Sequence, residues 1–227
     1  MDSSLKSRKA SLGNAWEDLR KHGASIAFTY LAIFVISVVS YIVFFVISLI
    51  FTQIGGGPYS DIGPLMGMIF GQVGQLPLTI LSSLIGVLIY AIPAVYFSRE
   101  EVVSFGEAVQ ILKAKPGRYI LAGLFFMMAY IVGILLCFIP GLAVLFVMPI
   151  YVSKIFTTEL SIFDAFSSSF AVVYKGEGWS FVGIQLIATI FALVAGLCAC
   201  GIGVLITFPI LEFYLMNVAY NKGLLTQ

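Results

Sequence analysis

The sequence predicts an all-α membrane protein of six transmembrane helices, built as three parallel repeats of one amphipathic interfacial helix followed by two spans. Three observations predict it. The 227 residues are 60% hydrophobic, 10% charged and have a mean hydropathy of +1.07, whereas a soluble domain carries roughly 25% charged residues. Six apolar stretches are long enough to cross a bilayer. A six-residue pattern recurs three times, each time shortly before an apolar stretch, as Ser11-Leu12-Gly13-Asn14-Ala15-Trp16, Ser104-Phe105-Gly106-Glu107-Ala108-Val109 and Ser161-Ile162-Phe163-Asp164-Ala165-Phe166. Self-similarity of this kind is the mark of a repeat architecture.

Each copy of the pattern reads as a helix start. A serine side chain accepts from the unpaired N–H groups of the first turn, and a polar residue three positions later reaches back to the serine's own N–H. Leu12, Ala15, Trp16 and Leu19 fall at i, i+3, i+4 and i+7, as do Phe105, Ala108, Val109 and Leu112. Ile162, Ala165 and Phe166 follow suit, with Ser169 in the fourth place beside Phe170. Each short helix thus has an apolar stripe for the headgroup boundary and a polar face. Basic residues gather at the C-terminal ends, as Arg20 and Lys21, Lys113 and Lys115, and Lys175, which suits the helix dipole and anionic headgroups. Breaks follow at Gly23, at Pro116-Gly117 and at residues 176–178.

The expected spans are residues 24–54, 76–97, 119–139, 141–156, 179–200 and 204–220, within one membrane domain, 1–227, whose repeats run over about 11–97, 104–156 and 161–221. Pro93, Pro149 and Pro209 occupy matching places in the returning spans and free the carbonyls of Ile89, Leu145 and Leu205. Six spans put all twelve Lys and Arg on one side of the membrane, and only Asp61 among the charges on the other. The positive-inside rule makes the basic side cytoplasmic, with both termini there. The first apolar run is about twice the length of a signal-peptide core and lacks a cleavage site, so no cleaved leader is expected.

Among polar residues at membrane depth, Glu212 stands out three positions after Pro209, where the other repeats have Tyr96 and Val152. An intramembrane acid is a functional candidate by default. Lys154 is its expected partner if the two spans are neighbours, and the alternatives are a structural ion pair, a carboxylate snorkelling to the interface, or a proton or ligand site. Gln185 and Asn217 are expected to bond between helices. Residues 55–75 form the one substantial outer segment. Gly63, Gly67 and Gly71 give it a smooth face, for packing on the bundle or as a partner-binding or pore-lining element, on a short re-entrant or interfacial helix. Trp16, Val109 and Phe166 are the candidate lipid- or partner-facing residues of the short helices. Cys137, Cys198 and Cys200 lie near outer span ends, where they act as small packing groups or pair Cys137 with one of the others. His22, the single histidine, is expected at the interface beside Arg20 and Lys21 and excludes a histidine-based triad or metal cluster.

The Ser-φ-x-acid-Ala lead into a span, together with the Ile139-Pro140-Gly141 turn, resembles a broad group of bacterial inner-membrane proteins. That group comprises the YciC-like proteins and the membrane domain fused to some glycerophosphodiester phosphodiesterases. The resemblance implies a helical membrane module and no defined reaction, and the chain has no room for a phosphodiesterase domain. No catalytic, metal or nucleotide signature stands out, so no cofactor is expected. The expected role is a non-enzymatic lipid- or protein-binding module or accessory subunit in the bacterial cytoplasmic membrane. Its partners would be anionic lipids, a membrane protein or a second copy, and not nucleic acid. A small-solute transporter or channel using the kinked spans and Glu212 is the alternative.

Overall fold

In the computed structural model, residues 8–199 and 201–225 are described, and all their regular structure is α-helical. The elements are α1 (Leu12–Lys21), α2 (Gly23–Ile54), α3 (Gly63–Gly86), α4 (Leu88–Arg99), α5 (Phe105–Ala114), α6 (Pro116–Leu136), α7 (Phe138–Thr157), α8 (Ile162–Val173), α9 (Gly178–Cys198) and α10 (Val204–Asn221). Six stretches are long and apolar enough to span a membrane: α2, the run Gly63–Arg99, α6, α7, α9 and α10. This is a multi-pass membrane protein.

The second span corrects one expectation. Residues 63–75 do not form a separate short outer helix. They continue through Pro77 into a helical run of 37 residues interrupted only at Val87. The 24 residues of α3 alone make about 36 Å of helix, against about 30 Å of hydrocarbon to cross. Pro77 removes one backbone donor, a loss that helices in a bilayer tolerate where local adjustment satisfies the freed carbonyl. A second correction concerns the turn between α6 and α7. The break falls at the extended residue Cys137, and Pro140 lies in the first turn of α7, where its missing N–H has no intrahelical partner to lose.

The chain forms two compact units, residues 27–87 and the remainder. The smaller is an antiparallel hairpin of α2 and α3. A Cβ on Gly67 would lie 2.7 Å from the Ser48 carbonyl oxygen, and one on Gly71 would lie 2.9 Å from the Phe44 ring. The glycine face is therefore filled by α2 of the same chain. Phe51 stacks on Phe70 at 4.0 Å beside it.

In the larger unit the returning helices α4, α7 and α10 all touch one another, and the core lies along them. Their second halves are buried around Ile92, Pro93, Tyr96 and Phe97, around Pro149–Ser153, and around Phe213, Leu215 and Met216. Helices α6 and α9 pair with α7 and α10. The short helices lie on the returning ones: α1 on α10, α5 on α4, and α8 on α7. Each begins at the expected serine. Ser11 accepts from the Asn14 N–H, Ser104 from Glu107 in a full capping box, and Ser161 from Asp164. The Ser104 backbone and hydroxyl bonds hold the exposed Glu107 carboxyl below the usual carboxylate range.

Each pair of long helices closes on glycine. A Cβ on Gly55 would come within 2.7 Å of Gly63 Cα, and one on Gly133 within 2.9 Å of Gly141 Cα. A Cβ on Gly203 would sit 3.1 Å from Gly196 Cα. Small residues permit this approach, and dispersion between backbones then supplies the attraction that hydrophobicity cannot provide inside lipid.

One substitution at two sites separates contact from propensity. Gly67→Ala should destabilise the hairpin by about 1–3 kcal/mol through overpacking. Gly183→Ala, where a Cβ meets nothing within 4 Å, should be neutral or gain up to about 1 kcal/mol from helix propensity. Unfolding in mixed micelles with increasing denaturing detergent reads both.

Candidate functional site

The polar residues of the larger unit fall into a network at the α1 end and a set of isolated groups at membrane depth. The network centres on Asp18, which is fully buried on the same stripe of α1 as Ala15 and Leu19. Its carboxylate pairs with the Arg8 guanidinium, accepts from the Tyr96 hydroxyl of α4 at 3.0 Å, and lies 3.6 Å from Lys21 Nζ. Asn221 at the end of α10 donates to the Arg8 carbonyl at 2.9 Å. A buried carboxylate persists only with such partners, because leaving one unpaired costs several kcal/mol.

His22 corrects the expectation of an interfacial histidine: it is wholly buried. The Val103 N–H donates to its Nε2 at 3.2 Å, so Nδ1 carries the proton and donates to the Asp18 carbonyl at 2.8 Å. The ring lies edge-on to Tyr96 at 4.5 Å and beside Phe213 at 5.1 Å. Burial pushes its pKa below 6.5, against the opposing pull of Asp18. A neutral, doubly engaged imidazole thus ties the end of α1 to the segment between α4 and α5. Ser25 reinforces the tie by donating to the Val103 carbonyl at 2.9 Å.

At membrane depth Lys154 and Glu212 are both buried, but they do not pair. Lys154 donates to Ser168 of α8 at 3.0 Å. Glu212 Oε2 has no hydrogen-bond partner. Helices α7 and α10 do touch, but the ammonium is turned to the short helix rather than across the bundle. Asn217 also departs from expectation: its Oδ1 accepts from Asn221, one turn along the same helix, at 3.0 Å. Gln185 is buried with its Oε1 unpartnered, so the interhelical bond expected of it is not made through that oxygen.

The candidate interface residues part company as well. Phe166 is turned inward, with ring contacts to Phe125 at 5.1 Å, Phe126 at 6.3 Å and Tyr151 at 5.7 Å. Val109 is half-buried. Trp16 is 46% exposed and, with Leu12, borders an apolar groove of about 510 Å³ between α1, α9 and α10. Gly63, Gly67 and Gly71 face α2, as described. The alanines of the hexapeptide form the true contact stripe: Ala15, Ala108 and Ala165 are all buried. Cys137 and Cys198 are free and exposed, and Cys200 lies outside the described residues.

The α1 network was within reach of the sequence. Asp18 sits three residues after the repeated alanine, on the buried stripe, and the eighth position of the pattern is Asp18, Ile111 and Ser168 in the three copies. Two of these carry the bond from a short helix to a returning span, Asp18 to Tyr96 and Ser168 to Lys154. Arg8 and Val103 have no such signal, since each lies in a connecting segment without periodicity.

Compared with family models, with curated proteins and with solved structures, the chain has no match.

Two outcomes test the network. Tyr96→Phe removes a donor from a buried carboxylate and should cost about 1–3 kcal/mol in the same unfolding assay. Because the His22 pKa is lower folded than unfolded, the unfolded state binds more protons below pH 6.5. The stability His22 contributes is therefore complete above pH 6.5 and falls as the pH drops towards the folded value. In His22→Gln that part of the slope should disappear from the unfolding free energy measured against pH.

Proposed function

We propose that this protein is a non-enzymatic binding module or accessory subunit of a bacterial cytoplasmic membrane, with both termini on the cytoplasmic side. Its ligands are lipid or another membrane protein. One observation carries the reading: the buried groups Asp18, His22 and Lys154 find their partners in contacts that fasten short helices to the rest of the larger unit. Arg8, Asp18 and Tyr96 fix α1, His22 fixes its end, and Lys154 holds α8 through Ser168. What these contacts leave on the surface is apolar helix flank with Arg20, Lys21, Lys113 and Lys175 at helix ends, among the exposed acids Glu17, Glu107 and Asp164. That is the chemistry of a surface that engages anionic lipid or another span.

The helix contacts support three units in cyclic relation. Each short helix rests on the returning span that precedes it, α5 on α4 and α8 on α7, and α1 completes the set on α10. In this reading the apolar stripes serve first to dock the short helices on the bundle. Such a module agrees with what the resemblance to the YciC-like group implies.

The second reading, a small-solute transporter or channel, is favoured by Glu212. Its unpartnered buried oxygen lies on one of the three mutually touching helices, each with a proline in its interior. Buried acids of that kind mark ion and proton pathways.

Native mass spectrometry of protein extracted gently from its own membrane separates the two. Retained phospholipid or a stoichiometric second polypeptide is the expected result. A bare species that conducts a solute in proteoliposomes, and loses that flux in Glu212→Gln, would replace the module with a transporter.

A further inference from the structure

The groove between α1, α9 and α10 differs from its counterpart beneath α8. There, the sixth residue of the pattern is Phe166, and it inserts between α6 and α7, where Phe125, Phe126 and Tyr151 close around it. At the corresponding place in α1, Trp16 stands half-exposed at the rim and the space stays open at about 510 Å³. That volume falls within the range of roughly 300–1,000 Å³ typical of small-molecule sites. Its walls are almost wholly apolar, and Ile187 and Phe191 on α9 are exposed along its length. From Ile184 to Ala192 the α9 wall runs for about 12 Å.

Chemistry changes along α1. Leu12, Trp16 and Arg20 recur at four-residue spacing and share one stripe of the helix. The stripe therefore begins at the apolar groove, passes an indole, and ends on an exposed guanidinium. Lys21 is next to it, and Glu17, Arg20 and Lys21 line an open hollow of about 440 Å³ one turn beyond Trp16. Asp18, the other acid nearby, is turned inward, paired with Arg8 and 3.6 Å from Lys21 Nζ, so Arg20 is the cation that sets the preference of the hollow. An apolar slot with a tryptophan at its rim and cations past it matches a molecule with a long chain and an anionic head.

We propose that this groove binds one anionic glycerophospholipid, with an acyl chain against Ile187, Ala188 and Phe191 and the phosphate at Arg20 and Lys21. The inference rests on the binding-module reading and names its ligand class and site. Charge selects the occupant. A zwitterionic lipid carries the same phosphate but offsets it with its own cation and so gains less at Arg20 than a net anionic one, and an apolar helix from a partner gains nothing there. At the α8 corner Phe125, Phe126 and Tyr151 close around the corresponding side chain, Phe166.

Trp16 is a built-in probe, because the chain has only one other tryptophan, Trp179. In Trp179→Phe, emission then reports the groove alone. The protein is reconstituted in phosphatidylcholine vesicles containing a minor fraction of either phosphatidylglycerol or phosphatidylcholine brominated on the acyl chain. Expected are saturable quenching by the anionic lipid, at about fivefold lower fraction than the neutral one, and loss of that preference in Arg20→Gln. Ala188→Phe, which fills the slot, should weaken quenching by both. Equal quenching by both lipids, rising in proportion to their fraction, would overturn the site, as would a preference that survives Arg20→Gln. If Arg20→Gln or Ala188→Phe fails to fold, the saturation and preference of the Trp179→Phe protein decide alone. Should native spectra still show bound lipid when quenching is unselective, the groove fails while the module reading stands; absence of bound lipid and of any partner removes both.

Discussion

Close approach between helices is the constraint on which the rest of the molecule depends. Inside a bilayer no gain comes from hiding one apolar helix against another, because lipid tails are as apolar as leucine. What remains is dispersion between surfaces near enough to touch, and hydrogen bonds that have nowhere else to go. The chain meets both terms with small residues in fixed places. Gly55 and Gly63, Gly133 and Gly141, and Gly196 and Gly203 let each pair of long helices meet at its turn. Ala15, Ala108 and Ala165 let each short helix press onto a returning span. Once these contacts exist, Asp18, His22 and Lys154 come within bonding range of their partners, and burying them becomes tolerable.

Much of the architecture was legible in the sequence because its signals are additive along the chain. Six long apolar stretches survive errors of a few residues at their ends, and three serine caps state where the short helices begin. The length of the second span was less legible. Pro77 and the run of glycines from Gly63 to Gly71 look like the end of one element and the start of another. In the structure they lie in one helix, since the glycines are matched by Thr52, Ser48 and Phe44 on the facing helix. Glycine at four-residue spacing marks close packing without saying against what.

The polar groups were hardest to place because their fate depends on partners distant in sequence. Glu212 and Lys154 were visible as buried charges, but the choice of Ser168 over Glu212 is made by how α8 lies on α7. His22 reads as interfacial next to Arg20 and Lys21. Only the arrival of Val103, 81 residues later, supplies the donor that lets it be buried neutral. Phe166 and Trp16 occupy the same place in the pattern and face opposite fates: Phe125, Phe126 and Tyr151 close around the first, whereas the second stands at the rim of a groove that stays open.

The lodging of α1 on α10 has a consequence for biogenesis. On a ribosome α1 emerges first among these elements, and the helix it rests on emerges last. The pairs α6 with α7 and α9 with α10 can close as soon as each is made, and Tyr96 and Val103 reach Asp18 and His22 about 80 residues after α1, whereas the side of α1 that packs on α10 must wait through the synthesis of about 180 further residues. During that interval the amphipathic helix has the membrane surface for a partner. A chain halted before α10 would go on displaying the side of α1 that α10 covers, and a quality-control protease that recognises an undocked helix face at the bilayer surface would have a marker for incomplete molecules.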